Sequence, residues 1–356
     1  MSDVAFAVRP TKNRRYPILD ALRFFLAFWV TMGHLGIIPL FGAPGDATTR
    51  LGRLLAHGWN SITFGTPAVI GFFIISGFCI HLPFRKNEKL WIGRFYARRY
   101  TRILVPVIAA LVIWRLAGVD QGLLGEHSIL WESPLWSLLC EEIYYACYPL
   151  IRWIHGRYGW APLFSVTFPL SVGVSLLHVG ATDWHLYGPI GTAFILLPVW
   201  LLGCVLAEKS DQLTSLNSRW RIWGWRFLAW FGSWVSEMLH FKVGLHTGVT
   251  MLWFGVLMYF WIKEELAYGL NNPPPRVFVW AGAWSYSLYL IHRVGPDFFM
   301  RIPVLHIGAI LNWIVYYAFV LGISYLFYLA IERPSHLLAR KIRVTPHPKN
   351  PKPLEA

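Results

Sequence analysis

Apolar residues run along this chain in long blocks, and ten of them reach or approach the roughly 20 residues that a helix needs to cross a bilayer. They lie at about 18–40, 61–82, 103–119, 134–151, 160–178, 187–207, 225–241, 246–262, 277–295 and 305–330. The pattern predicts an all-α fold, a polytopic membrane helical bundle of about ten transmembrane helices occupying residues 1–340. The block at 225–241 is the weakest, because it holds Glu237 and His240, and a re-entrant segment there stays open. The stretch 341–356, rich in Pro and Lys, predicts a disordered tail.

Composition strengthens the membrane reading. Of 356 residues, 56% are hydrophobic and only 14% charged, against about 25% charged in soluble domains. Twenty Trp and sixteen Tyr suit two interfacial belts, where amphipathic rings sit at headgroup depth. Cys79, Cys140, Cys147 and Cys204 lie in apolar surroundings with no CxxC and no metal-ligand spacing, and read as buried free thiols. The basic residues near the N-terminus precede an apolar run too long for a cleaved signal, so that run is expected to be the first span.

Charge then orients the bundle. If the N-terminus is inside, the basic clusters Arg9–Arg23, Arg85–Arg102, Lys209–Arg226 and Arg333–Lys352 all fall on the cytoplasmic side. Only Arg50, Arg53, Arg115, Lys242, Arg293 and Arg301 fall outside. This asymmetry predicts cytoplasmic termini at both ends of a multi-pass protein of the cell inner membrane. The net charge of +14 is therefore a signal of topology and of anionic lipid. Nucleic acid is not an expected partner, because no soluble domain gathers the charge.

Four places carry ionisable groups where an apolar setting makes them costly. In LDALRFFLAFWVTMGH, Arg23 and His34 share a helix face roughly 16 Å apart along the axis. An imidazole at that depth is a functional candidate, with helix–helix hydrogen bonding as the plain alternative. In FYARRYTRILVP, Arg99 and Arg102 share a face and suit the phosphates of a nucleotide such as coenzyme A, or simply a basic anchor. In LWSLLCEEIYY, Glu141 and Glu142 point about 100° apart, so at most one faces a given cavity. One carboxylate beside a neutral imidazole would serve general-base catalysis of acyl transfer. In SYSLYLIH, Ser285 and Tyr286 are expected to pack or hydrogen-bond across helices, and His292 to serve helix packing or acceptor binding, with a second catalytic imidazole as the alternative. P-loop, GxSxG and HExxH motifs are absent.

Together these blocks resemble the membrane-bound acyltransferase family 3, which includes glycan O-acetyltransferases and macrolide acyltransferases. The first block carries Arg23 and His34. FFIISGF, with Ser76 and Gly77, and the paired arginines Arg99 and Arg102 form the second. Glu141 stands in the third, and SYSLYLIH and IERPS, covering Ser285, Tyr286, His292 and Glu332, close the series. Cys140 departs from the Val of many members, and the outer hydrolase-like domain of some members is not seen. The resemblance implies an acyl-CoA donor, commonly acetyl-CoA, and no permanently bound cofactor. It also implies a carbohydrate or lipid-linked acceptor hydroxyl. On that basis His34 and Glu141 are expected to be catalytic and paired, Arg23, Arg99 and Arg102 to bind the donor, and Ser76, Ser285, Tyr286 and His292 to contact substrate. A transporter or flippase for a glycan or charged solute is the rival reading, since intramembrane His, Glu and Arg also serve proton coupling.

Overall fold

A computed structural model describes residues 16–41, 49–60, 62–86, 88–117, 135–177, 187–294 and 308–342, and these residues are all-helical, with no strand among them. The helices are α1 Pro17–Leu35, α2 Arg50–Asn60, α3 Gly65–His81, α4 Ile92–Leu116, α5 Trp136–Tyr158, α6 Ala161–Leu177, α7 Gly188–Lys209, α8 Arg219–Val243 and α9 Thr247–Tyr268. They continue as α10 Arg276–Gly282, α11 Ser285–Ile291, α12 Ala309–Phe327 and α13 Arg333–Lys341. Among the described residues, nine of the ten apolar blocks centre on one helix each and the block at 277–295 on two. Four stretches are long and apolar enough to cross a membrane: Pro17–Leu35, Gly65–Phe84, Ile190–Gln212 and Ala309–Lys341. The tail expected at 341–356 lies outside the described residues from 343 onward.

The outer surface is apolar. Leu104, Ile108, Val112 and Leu116 on α4, and Trp223, Phe227 and Phe231 on α8, are exposed, an arrangement suited to lipid rather than water. Polar groups turn inward instead: Ser171, Ser233, Ser287, His292 and Glu332 are all buried.

Glycines set the closest approaches. A side chain at Gly77 of α3 would overlap the Trp200 carbonyl of α7, and one at Gly203 of α7 would overlap the Ile74 carbonyl. The two backbones therefore cross in contact, the small-residue packing that membrane helices favour. Gly33, near the end of α1, meets the backbone of Gly65 at the start of α3 in the same way.

Three details depart from expectation. The block at 225–241 lies in an unbroken helix, α8. Its buried His240 closes the turn into α9 through the Leu245 carbonyl, 2.9 Å away. The block at 277–295 is broken, with α10 and α11 separated at Ala283–Trp284. This places a helix N-terminus inside the bundle, and its free backbone donors need an acceptor. Glu332, on a π turn at Tyr328–Glu332, supplies it by accepting from the Ser287 backbone N–H at 3.0 Å and from its hydroxyl at 2.5 Å. Finally, all four cysteines are free, but Cys147 is exposed and Cys79 only partly buried.

Candidate functional site

α1, α3, α4, α5, α10, α11 and α13 surround a cavity of about 290 Å³, just below the roughly 300–1,000 Å³ usual for small-molecule sites. Arg23, Ser76, Arg99, Arg102, Glu141, Ser285 and Tyr286 all line it. It therefore gathers seven of the nine nominated residues from five helices. Glu142 does not line it, so Glu141 is the member of the pair that faces inward.

The arginines differ in how they are held. Arg23 donates to Asp20 at 3.3 Å and to the Cys79 sulfur at 2.9 Å. Arg99 lies over the Tyr145 ring, 3.8 Å from its centroid, a cation–π placement. Its buried Nε has no protein partner among the described residues. Arg102 donates from Nε to His336 Nε2 at 3.1 Å. Arg98, next in sequence to Arg99, is committed elsewhere. It donates to the carbonyls of Arg340 and Ile342 at 3.3 and 3.2 Å, closing the C-terminal end of α13.

Glu141 accepts from the Tyr145 hydroxyl at 2.6 Å, and that hydroxyl meets Ser76 Oγ at 2.7 Å. Trp200 Nε1 donates to the same serine at 3.2 Å. Arg99 and Arg23 lie close enough to act on the carboxylate charge. The expected pairing of Glu141 with His34 is thus not what forms. A carboxylate withdrawn from water is compensated by cations and hydroxyl donors, which offer it more than a neutral ring does.

His34 sits instead at the exposed C-terminal end of α1, where Gly36 ends the helix at φ 83°. Tyr317 and Trp313 of α12 both donate to the Gly36 carbonyl and fix that end. The partner of His34 is His292, with Nδ1 of His34 and Nε2 of His292 3.1 Å apart. His292 is fully buried, and its Nδ1 lies 2.9 Å from the Tyr289 carbonyl and 3.2 Å from that of Leu288. Carbonyls only accept, so Nδ1 of His292 carries the proton. For two neutral rings its Nε2 must then accept the Nδ1–H of His34. The network assigns His34 a basic lone pair on Nε2, the state a general base needs.

The pair and the cavity are adjacent. Along α3 the cavity runs from Cys79, beside Arg23, to Val69, roughly 15 Å on helical rise. Gly65, one turn before Val69, lies against the His34 ring, so a β-carbon there would sit 3.5 Å from His34 Cε1. Tyr289, whose carbonyl holds His292, lines the cavity and meets Ser137 Oγ at 2.7 Å.

Sequence reasoning did not nominate Cys79, Ser137, Tyr145, Tyr289 or His336, and it placed Glu332 in the closing block IERPS without a role. The Tyr145 position, one turn after Glu141, carried the one available signal, since i and i+4 share a helix face.

A family model described as an acyltransferase domain matches residues 16–329. Acyltransferase MdmB from Streptomyces mycarofaciens is 30% identical over 165 residues, which cover 40% of this chain and 40% of that protein. The alignment thus spans well under half of that relative. No solved structure matches the chain.

Proposed function

The chain belongs to the acyltransferase 3 family and is an acyltransferase, and on that premise we propose that it moves an acyl group from coenzyme A to a hydroxyl of a carbohydrate or lipid-linked glycan. Acetyl-CoA is the proposed donor and O-acetylation of a polysaccharide or its precursor the proposed outcome. The setting is the cell inner membrane, crossed ten times, with both termini cytoplasmic. Asymmetric placement of basic residues supports that topology.

One observation carries the reading: the arginine-lined cavity ends one helical turn short of an imidazole whose Nε2 is left basic. Arg99 and Arg102, with Arg23, hold the phosphates of the donor from the cytoplasmic side. The pantetheine arm extends past Ser76, Ser285 and Tyr286 toward Tyr289. His34 takes the proton from the acceptor hydroxyl as its oxygen attacks the thioester carbonyl. The tetrahedral intermediate then expels the coenzyme A thiolate, and the proton held by His34 passes to that sulfur. A covalent acyl-histidine is not needed, because the attacking oxygen and the leaving sulfur share one base. His292 orients this base, and Glu141 organises the arginines.

The test is label transfer in proteoliposomes from radiolabelled acetyl-CoA to an extract of membrane glycans. Arg99→Ala removes a charge-assisted phosphate contact, which contributes about 1.5–3 kcal/mol. It is expected to raise the donor KM by about 10–100-fold with kcat largely retained. A fall in kcat at unchanged donor KM would place Arg99 outside the donor site, and flux of solute without label transfer would favour a transporter.

A further inference from the structure

Away from this cavity, three helix ends meet around a second polar cluster. His81 is the last residue of α3, His155 lies in the last turn of α5, and Glu208 lies in the last turn of α7. Their ligand atoms all fall within 4.8 Å of one another. Both Nε2 atoms, of His81 and of His155, stand 3.2 Å from the same oxygen, Glu208 Oε1. His81 is 2% exposed, and the other two are partly buried.

We propose that His81, His155 and Glu208 form a binding site for a divalent cation of the zinc class. Spacing is the first argument. Bonds of about 2.0–2.1 Å in a tetrahedral site put ligand atoms about 3.3–3.4 Å apart. Charge-assisted hydrogen bonds draw N and O to about 2.7–2.9 Å. The two observed separations, 3.2 Å each, sit nearer the edge of a coordination tetrahedron.

The surroundings are the second argument. A metal-bound imidazole donates its remaining N–H to a neighbour that fixes its orientation. His81 Nδ1 faces the Tyr148 hydroxyl at 3.0 Å. The second oxygen of Glu208 accepts from Trp160 Nε1 at 2.7 Å, which turns Oε1 toward the two rings. Trp160 also lies against His155, with ring centroids 4.0 Å apart. Arg152, a cation that acts on His81, is turned to the Glu88 carbonyl and lies over the Phe84 ring, 5.0 Å from its centroid. Two neutral nitrogens and one carboxylate leave a fourth position open to water or a further ligand. Such an ion would fasten α3, α5 and α7 together at one end.

The three residues come from distant parts of the chain, which is why no ligand spacing shows in the sequence. The test uses the full, tag-free chain in detergent, stripped with chelator and then titrated with Zn²⁺ alone. One zinc per chain is expected by calorimetry and by metal analysis after desalting. The thermal midpoint is expected to rise with zinc. Glu208→Gln is the decisive variant, because its amide oxygen still accepts from both rings while the metal-binding charge is lost, at the cost of the Trp160 hydrogen bond. It is expected to lose at least ten-fold in zinc affinity, as is His155→Ala. No zinc retained by the wild type, or equal binding by wild type and Glu208→Gln, would overturn the proposal and leave a hydrogen-bonded cluster only.

Discussion

Changing His34 to Ala is expected to lower acyl transfer by about 10²–10⁴-fold, the usual contribution of a positioned general base, without unfolding the bundle. His34 is exposed, and its ring bonds are to His292 and the Val30 carbonyl. The substitution leaves one buried acceptor, Nε2 of His292, without its donor, a cost of about 1–3 kcal/mol. A melting curve beside the kinetic assay separates the two effects. His292 adds a finer comparison. His292→Gln keeps an acceptor opposite Nδ1 of His34, while His292→Leu does not. The glutamine variant is therefore expected to keep far more activity, with the pH profile of the wild type. Equal losses in both would detach His292 from the tautomer of His34, and transfer by His34→Ala within three-fold of wild type would remove His34 from the chemistry.

Glu141→Ala is expected to cost stability as well as activity. The carboxylate is the acceptor at the foot of the Ser76–Tyr145–Glu141 chain and the counter-charge to Arg99 and Arg23. Losing a hydrogen bond to a charged group costs about 1.5–3 kcal/mol, so the thermal midpoint should fall by several degrees and the donor KM should rise. Glu141→Gln keeps an acceptor for Tyr145 but not the charge. It is expected to recover most of the stability and little of the donor binding. An unchanged melting curve for Glu141→Ala would show that this chain does not hold the cavity.

Much of the architecture was legible because hydropathy reports depth in a bilayer. The blocks at 18–40 and 61–82, for instance, are α1 and α3 to within a few residues. Hydropathy does not report rotation about a helix axis or which neighbour a helix meets. The partner of His34 was missed for that reason. Arg23, Arg99, Arg102 and Glu141 reach the same cavity, but His34 is carried one turn beyond it and faces α11. The break before Ser285 was hidden because Ala283 and Trp284 are apolar and continue the block. The buried carboxylate of Glu332, far along the chain, caps the helix end that results. Arg98 and Arg99 look alike in sequence, yet one closes α13 and the other faces the cavity, because neighbouring residues on a helix point about 100° apart.

The proposed reaction requires the thioester to lie between the arginines and His34. A photoreactive acyl-CoA with its reactive group on the acyl chain tests it without knowledge of the acceptor. Labelling, competed by acetyl-CoA, is expected on peptides that contain His34 or the Tyr289–His292 segment. Label confined to the exposed apolar sides of α4 or α8, or label that acetyl-CoA does not displace, would contradict it.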